Sequence, residues 1–317
     1  MDDYVLVIIA FIVGTIGTLV LGLISKWIDR KVTARVQWRK GPPWFQPFAD
    51  IIKLLGKETI VPETARKTGF LLAPLLGFAA VAVAATLIWM ANINPESGFF
   101  GDVIVVLYLL TIPSFALIIG GSASGNPLAA VGAGREMKLI IAYELPMLLS
   151  ILAAIYGSAN SFSLGQLIQN DTSNTIGIAA TIGCVLAFIV SLMCIQAKLG
   201  LVPFDIAEAG CEIASGPYIE YSGAALALLH LTKAMLLAVL PLFLITIFWG
   251  GFNVSFTEGV GAGILGILAA IGKYVLIIVV LVLVRNTNPR VRIDHALKFF
   301  WFMMTPLAIL ALVLSLI

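Results

Sequence analysis

The way lysine and arginine are distributed between the apolar stretches constrains this chain more than any other feature. Eight continuously apolar runs lie at about residues 5–24, 69–91, 103–122, 139–156, 176–195, 224–249, 262–284 and 299–317. A helix crosses the hydrocarbon layer in about 20 apolar residues, and each run meets or approaches that length. The runs do not alternate polar and apolar, so helices and not a spanning barrel are expected. All 19 Lys and Arg residues sit within a run or in the connections after the first, third, fifth and seventh runs. The connections after the second, fourth and sixth carry none and hold only acids: Glu96, Asp102, Asp171 and Glu258. One missed span would mix the two classes. The positive-inside rule then puts residues 25–68, 123–138, 196–223 and 285–298 in the cytoplasm and both termini on the outer side. The expected fold is an all-α integral membrane protein of eight transmembrane helices, forming a single membrane domain over residues 1–317 in the cell membrane.

Composition agrees. Of the 317 residues, 60% are hydrophobic and 11% charged, against about 25% charged in soluble domains. A soluble fold of this size needs a larger polar shell. Cys184, Cys194 and Cys211 form no C-x-x-C pair, and His230 and His295 cannot complete a metal set with them at a usual spacing. No haem, zinc or iron–sulfur cluster is expected in this chain. The first residues are acidic, so the first run reads as a signal anchor or span and not as a cleaved signal peptide.

The connection 25–68 is more than a linker. After the turn signal Gly41-Pro42-Pro43, Phe45, Phe48, Ile51, Ile52, Leu54 and Leu55 alternate with Asp50, Lys53, Lys57 and Glu58. That pattern predicts a short amphipathic helix at the membrane interface. Asp50 lies near its apolar rows and could point into protein. In the next basic connection, small residues and two glycines precede Arg135, Glu136 and Lys138, and Glu144 follows inside the fourth run. A carboxylate within a span is costly and normally faces protein or water. Lys233 and Lys273 lie deep in apolar runs and need an acid or water for the same reason.

The densest acid cluster falls in residues 198–223, where Asp205, Glu208, Glu212 and Glu220 follow a long apolar run. The first three are spaced i, i+3, i+7. A helix there would place all three on one face. Ordinary surface acids are the plain alternative. Together with Asp50, Glu136 and Glu144, these carboxylates suit a proton relay that titrates as a coupled set. No nucleotide-binding, hydrolase or metalloprotease motif appears in a credible setting.

The segments DRKVTARVQWRKGPP, QPFADIIKLLGKE, NPLAAVGAGREMKLIIAYE, PFDIAEAGCEIASGPYIEYSG and RNTNPRVRIDHALKFFW together resemble the membrane heel subunit shared by respiratory complex I and the energy-converting membrane-bound NiFe hydrogenases. The resemblance runs from about residue 26 to the C-terminus. It implies eight spans and a role in anchoring a hydrophilic electron-transfer arm. The compressed stretch Gly41–Pro47, Gly134–Met137 and Gly216-Pro217 resemble the hydrogenase branch. In that branch hydrogenase-like large and small subunits carry the NiFe centre and the iron–sulfur clusters. Antiporter-like and small membrane subunits complete the complex, and no nucleic acid is involved. This chain departs from the family pattern at Leu201-Val202, at Ala207 where proline is usual, and at Gly210 where a glutamate is usual. One relay acid is therefore missing. Asp205, Glu208, Glu212 and Glu220 match.

The resemblance implies a subunit that is not catalytic alone and that couples electron transfer to pumping of protons or sodium ions. Asp50, Glu136, Glu144, Asp205, Glu208, Glu212, Glu220 and Lys233 are the expected relay residues. Arg35, Arg39, Lys40, Arg135, Arg290, Arg292 and Asp294 are the expected docking residues for the peripheral arm. A quinone-binding complex I subunit and a passive docking scaffold remain the alternatives.

Overall fold

A computed structural model describes residues 3–98, 101–158, 161–173, 182–252 and 260–316. Those residues are almost entirely helical, with no strand among them. Seven segments are long and apolar enough to cross a membrane: 9–36, 67–93, 102–123, 127–157, 223–248, 263–287 and 293–316. The remaining expected span, 176–195, falls partly outside the described residues. Its described part is a shorter apolar helix, Ile182–Lys198. The eight-span reading and the helical fold class are borne out in this approximate form.

Most boundaries follow the apolar runs, and two do not. Helix α1 (Asp3–Val36) continues some twelve residues past the first run, through Lys26, Asp29, Arg30 and Arg35. Charges ended the apolar count there without ending the helix. The helix stops where Trp38 turns left-handed (φ 57°), with the Arg39 amide returning to the Ala34 carbonyl at 2.7 Å. The expected interfacial helix is α2 (Gln46–Leu55), and α3 (Lys67–Ile93) follows. The third span is broken into α4 (Asp102–Leu109) and α5 (Ile112–Ala123) ahead of Pro113.

The second departure is a correction. Residues 127–138, expected as loop, form the first turns of α6 (Pro127–Ser158). Pro127 opens the helix, and the Asn126 side chain accepts the Leu128 amide at 2.8 Å. The small residues there permit close packing: a side chain on Gly132 would meet the Pro217 ring at 2.6 Å. After α7 (Leu164–Ser173) and α8 (Ile182–Lys198) the chain runs irregularly, apart from one α-helical turn, α9 (Gly210–Ile213), and a 3-10 turn at Gly216–Tyr218. Then follow α10 (Gly223–Phe248), α11 (Val260–Thr287) and a last span. That span joins α12 (Ile293–Lys298), a π-helical stretch (Phe299–Met304) and α13 (Thr305–Leu316).

Helix α10 is the hub. Of its apolar window 89% is buried, against 28% for α1 and 22% for the last span. It packs on α1 and α3, while α6 packs on α8 and α13. Gly22 sets the α1–α10 approach, because a Cβ there would lie 2.5 Å from the Ala234 carbonyl oxygen. Lys233, one residue along α10, is thereby held beside the polar half of α1.

Candidate functional site

The polar half of α1, the irregular segment 199–221 and α10 enclose an open chamber of about 1000 Å³. Lys26, Asp29, Arg30 and Thr33 line it from successive turns of α1, at the i, i+3, i+4, i+7 spacing of one helix face. Asp205 and Glu208 line it from the irregular segment, and His230 and Lys233 from α10. Arg39 and Lys40 stand at its margin and are exposed, as is Arg35 on the last turn of α1.

Three ion pairs tie the walls together across distant parts of the chain. Asp29 accepts from Arg285 at 2.7 Å, Asp205 from Arg290 at 2.9 Å, and Glu208 pairs with Lys233. Asp50 does not line the chamber. It accepts from the chamber residue Arg30 at 2.8 Å and from Gln46 at 3.0 Å, so it braces the wall from outside. Burial pushes the Asp50 carboxyl up, but the hydrogen bonds from Arg30 and Gln46 outweigh it and hold the group below its ordinary value. Asp205 goes the other way. Burial, aided by the charge of Glu208, raises it despite Lys233, Arg290 and Arg285 nearby. Burial also pushes the Tyr218 hydroxyl well above its usual range, so it stays protonated and can donate.

The acid row needs correcting. Residues 201–209 are not helical, so Asp205, Glu208 and Glu212 do not share a helix face. Each is drawn to a different cation. Glu208 faces the chamber, whereas Glu212 projects outward and accepts from Arg135 at 2.6 Å. With Arg135, Asp205, Arg290, Arg292 and Asp294 it lines a separate outer cleft of about 240 Å³. Arg135 and Arg290 are thus engaged in ion pairs, while Arg292 and Asp294 are exposed at the rim. Glu220 stands apart, held by the Asn126 amide at 2.6 Å.

A side cavity of about 40 Å³ shares walls with the chamber. It has room for about three waters at ~10–15 Å³ apiece. Glu208, Tyr218 and Lys233 line both spaces, and the side cavity adds Ser114, Glu136 and Lys198. Glu136 is 6% exposed, and Ser114 hydrogen-bonds its carboxyl. Lys198 ends α8, with its side chain wholly enclosed. Its Nζ lies 3.7 Å from the Glu144 carboxylate and 5.7 Å from the centre of the Tyr143 ring. Sequence reasoning placed Lys198 at the head of a loop and passed over Asp29. The signal for Asp29 was its helical spacing with Lys26, Arg30 and Thr33. For Lys198 the only signal was its position directly after an apolar run. Lys273, the other lysine inside an apolar run, donates to the Trp249 carbonyl at 2.9 Å.

A family profile described as NADH dehydrogenase matches residues 6–316. The chain is 33% identical to an NADH-quinone oxidoreductase subunit of Thermomicrobium roseum, over 97% of this chain and 95% of that one. It is 31% identical to an NADH-quinone oxidoreductase subunit of Dehalococcoides mccartyi, over 99% and 88%. Among solved structures it superposes on a chain of the membrane-bound sulfane sulfur reductase, an archaeal respiratory membrane complex. The TM-score is 0.84 at 29% identity, covering 98% of this chain and 99% of that one. These similarities bear out the resemblance to the heel subunit.

Proposed function

The chain belongs to the NADH dehydrogenase family, and we propose that it is the membrane anchor and coupling subunit of an ion-pumping redox complex of the membrane-bound NiFe-hydrogenase type. Its relatives are named as subunits of oxidoreductases, which supports a role that is not catalytic alone. Hydrogenase-like large and small subunits carry the NiFe centre and iron–sulfur clusters. Antiporter-like and small membrane subunits carry the ion path onward. The chamber faces the cytoplasm and the peripheral arm, with both termini on the outer side. The cations gathered at the chamber end support this orientation. Exposed Arg35, Arg39, Lys40, Arg292 and Asp294 serve the arm as docking groups.

The observation that carries the reading is a shared wall. Glu208 and Lys233 belong at once to the open chamber and to the small cavity in which Glu136 is buried. Glu208, Tyr218 and Lys233 give a proton in the chamber polar stepping points toward Glu136 in the wall between the two spaces, and Glu144 lies two turns further along α6. Electron transfer in the partner subunits alters the charge in the chamber. The coupled carboxylates answer by taking up and releasing protons. Asp205 stands at the entrance, between chamber and outer cleft. Asp50 braces the chamber wall, Glu212 lines the outer cleft and Glu220 stands apart beside Asn126.

The experiment is coupled translocation by the purified complex in sealed vesicles, followed with a pH-sensitive dye during turnover. Glu136→Gln and Glu208→Gln should assemble, transfer electrons and fail to acidify. Wild-type acidification in Glu136→Gln overturns the relay, and in both variants it leaves a docking scaffold. A second reading, a quinone site, is favoured by the relatives' names and by the chamber's size, at the top of the range for small-molecule sites. Reduction of a soluble quinone analogue at the turnover rate would establish it. The charged chamber walls and the similarity to a sulfur reductase support the first reading.

A further inference from the structure

Lys198 is the lysine that this fold buries most deeply among the described residues, and its surroundings do not suit a fixed counter-ion. A buried ion pair is stable only when further hydrogen bonds satisfy its remaining atoms. Here the 3.7 Å separation from Glu144 exceeds hydrogen-bond range. Lys198 Nζ and both Glu144 carboxylate oxygens lack any hydrogen-bond partner among the described residues. The Tyr143 ring offers the ammonium only a distant π face. Lys198 is also one of the residues that line the side cavity holding Glu136. The residue thus stands between two carboxyl groups, Glu136 across the cavity and Glu144 behind it. The other charged or titratable groups around it are Cys194 one turn back on α8, and Glu208, Tyr218 and Lys233 on the cavity wall.

We propose that Lys198 is the proton-transfer switch that joins the side cavity to Glu144. This rests on the reading that protons enter through the chamber and Glu136. In the forward step one N–H bond of the ammonium breaks and an O–H bond forms on the Glu144 carboxylate. An ion pair becomes a neutral amine and a neutral acid, with no change in net charge in the low-dielectric interior. The amine then takes a proton from the Glu136 carboxylic acid through cavity water, leaving Glu136 as carboxylate. The protonated Glu144 delivers its proton to the neighbouring membrane subunits, and the pair returns to its charged form. Lysine can perform this cycle because its amine can lose a proton, whereas arginine cannot.

The test compares Lys198→Arg, Lys198→Met and Glu136→Gln in the purified complex, reading acidification per electron transferred. If Lys198 switches, both Lys198 variants lose acidification by roughly a hundredfold, the low end of what positioned proton-transfer groups contribute. If it is a fixed counter-ion, the arginine variant pumps within about twofold of wild type, and the proposal is overturned. Should the arginine variant fail to assemble, infrared difference spectra of Lys198→Met decide. The Glu144 carboxyl band, assigned by its absence in Glu144→Gln, should no longer change on turnover. A band that still changes overturns the proposal. Normal pumping by Glu136→Gln overturns the underlying relay reading. An inactive Glu136→Gln beside a pumping Lys198→Arg overturns the switch alone.

Discussion

Glu208 and Glu212 are four residues apart, carry the same charge, and each pairs with a cation from another helix. What lies behind each carboxylate differs. Glu208 and Lys233 are 22% and 29% exposed and open onto a cavity that leads inward. Glu212 is 61% exposed, and the cleft beyond it leads out to Arg292 and Asp294. An exposed pair contributes about 0–1 kcal/mol, whereas stranding a partly enclosed charged group costs about 1–3 kcal/mol. Spacing along the chain cannot distinguish the two residues. Enclosure can: under the proposed reading the first handles protons, while the second lines the outer cleft.

Several measurements can break or sharpen this contrast. The largest expected effect is on translocation: Glu208→Gln should lower acidification per electron by about a hundredfold, and Glu212→Gln should leave it within about twofold. Equal effects would end the distinction. Next comes stability. Lys233→Met, which strands a partly enclosed Glu208, should cost about 1–3 kcal/mol in the thermal unfolding of the purified complex. Arg135→Met, which frees an exposed Glu212, should cost less than about 1 kcal/mol.

A finer test uses two aspartates that each meet an arginine. The folded chain raises Asp205, so the stability it contributes is present in acid. That contribution is lost as pH climbs from the ordinary aspartate value near 4 through the higher folded value. The folded chain lowers Asp50, so its contribution is present above that ordinary value. It is lost as pH falls through the lower folded value. Relative to wild type, Asp205→Asn should gain melting temperature as pH rises, and Asp50→Asn should lose it. Melting curves carried from below pH 4 to neutral check both, and matching signs would refute the opposed shifts of the two carboxyls. The smallest effect is on docking. Retention of the peripheral arm should weaken with added salt, and replacing exposed Arg35, Arg39 and Lys40 with glutamine should flatten that dependence.

Seven of the spans, and the described part of the eighth, were legible because hydrocarbon length and charge asymmetry act on any such chain, whatever its tertiary contacts. The interfacial helix α2 was legible for a related reason: its apolar rows repeat at helical spacing. Three features were not. Charges on α1 look like the end of a span, yet Lys26, Asp29 and Arg30 are accommodated by a chamber that only the folded bundle creates. Gly132 and Gly134 look like loop residues, yet Gly132 is what lets α6 approach Pro217. The acid row looks like one helix face. Arg290, Lys233 and Arg135, each from a different part of the chain, instead pull Asp205, Glu208 and Glu212 apart. Lys198 was hidden because a lysine after an apolar run is ordinarily an interfacial anchor. Its burial depends on α6 lying across it.

Helix α1 is about 50 Å long, well beyond a hydrocarbon layer of about 30 Å. It is an unbroken rod whose outward-facing residues, Ile12, Val13 and Ile16, share one rigid body with the chamber wall. The Asp29–Arg285 pair fastens that rod to α11 near its polar end, and Gly22 seats it on α10. The chamber wall and the lipid-length far end of the rod therefore belong to one unbroken element.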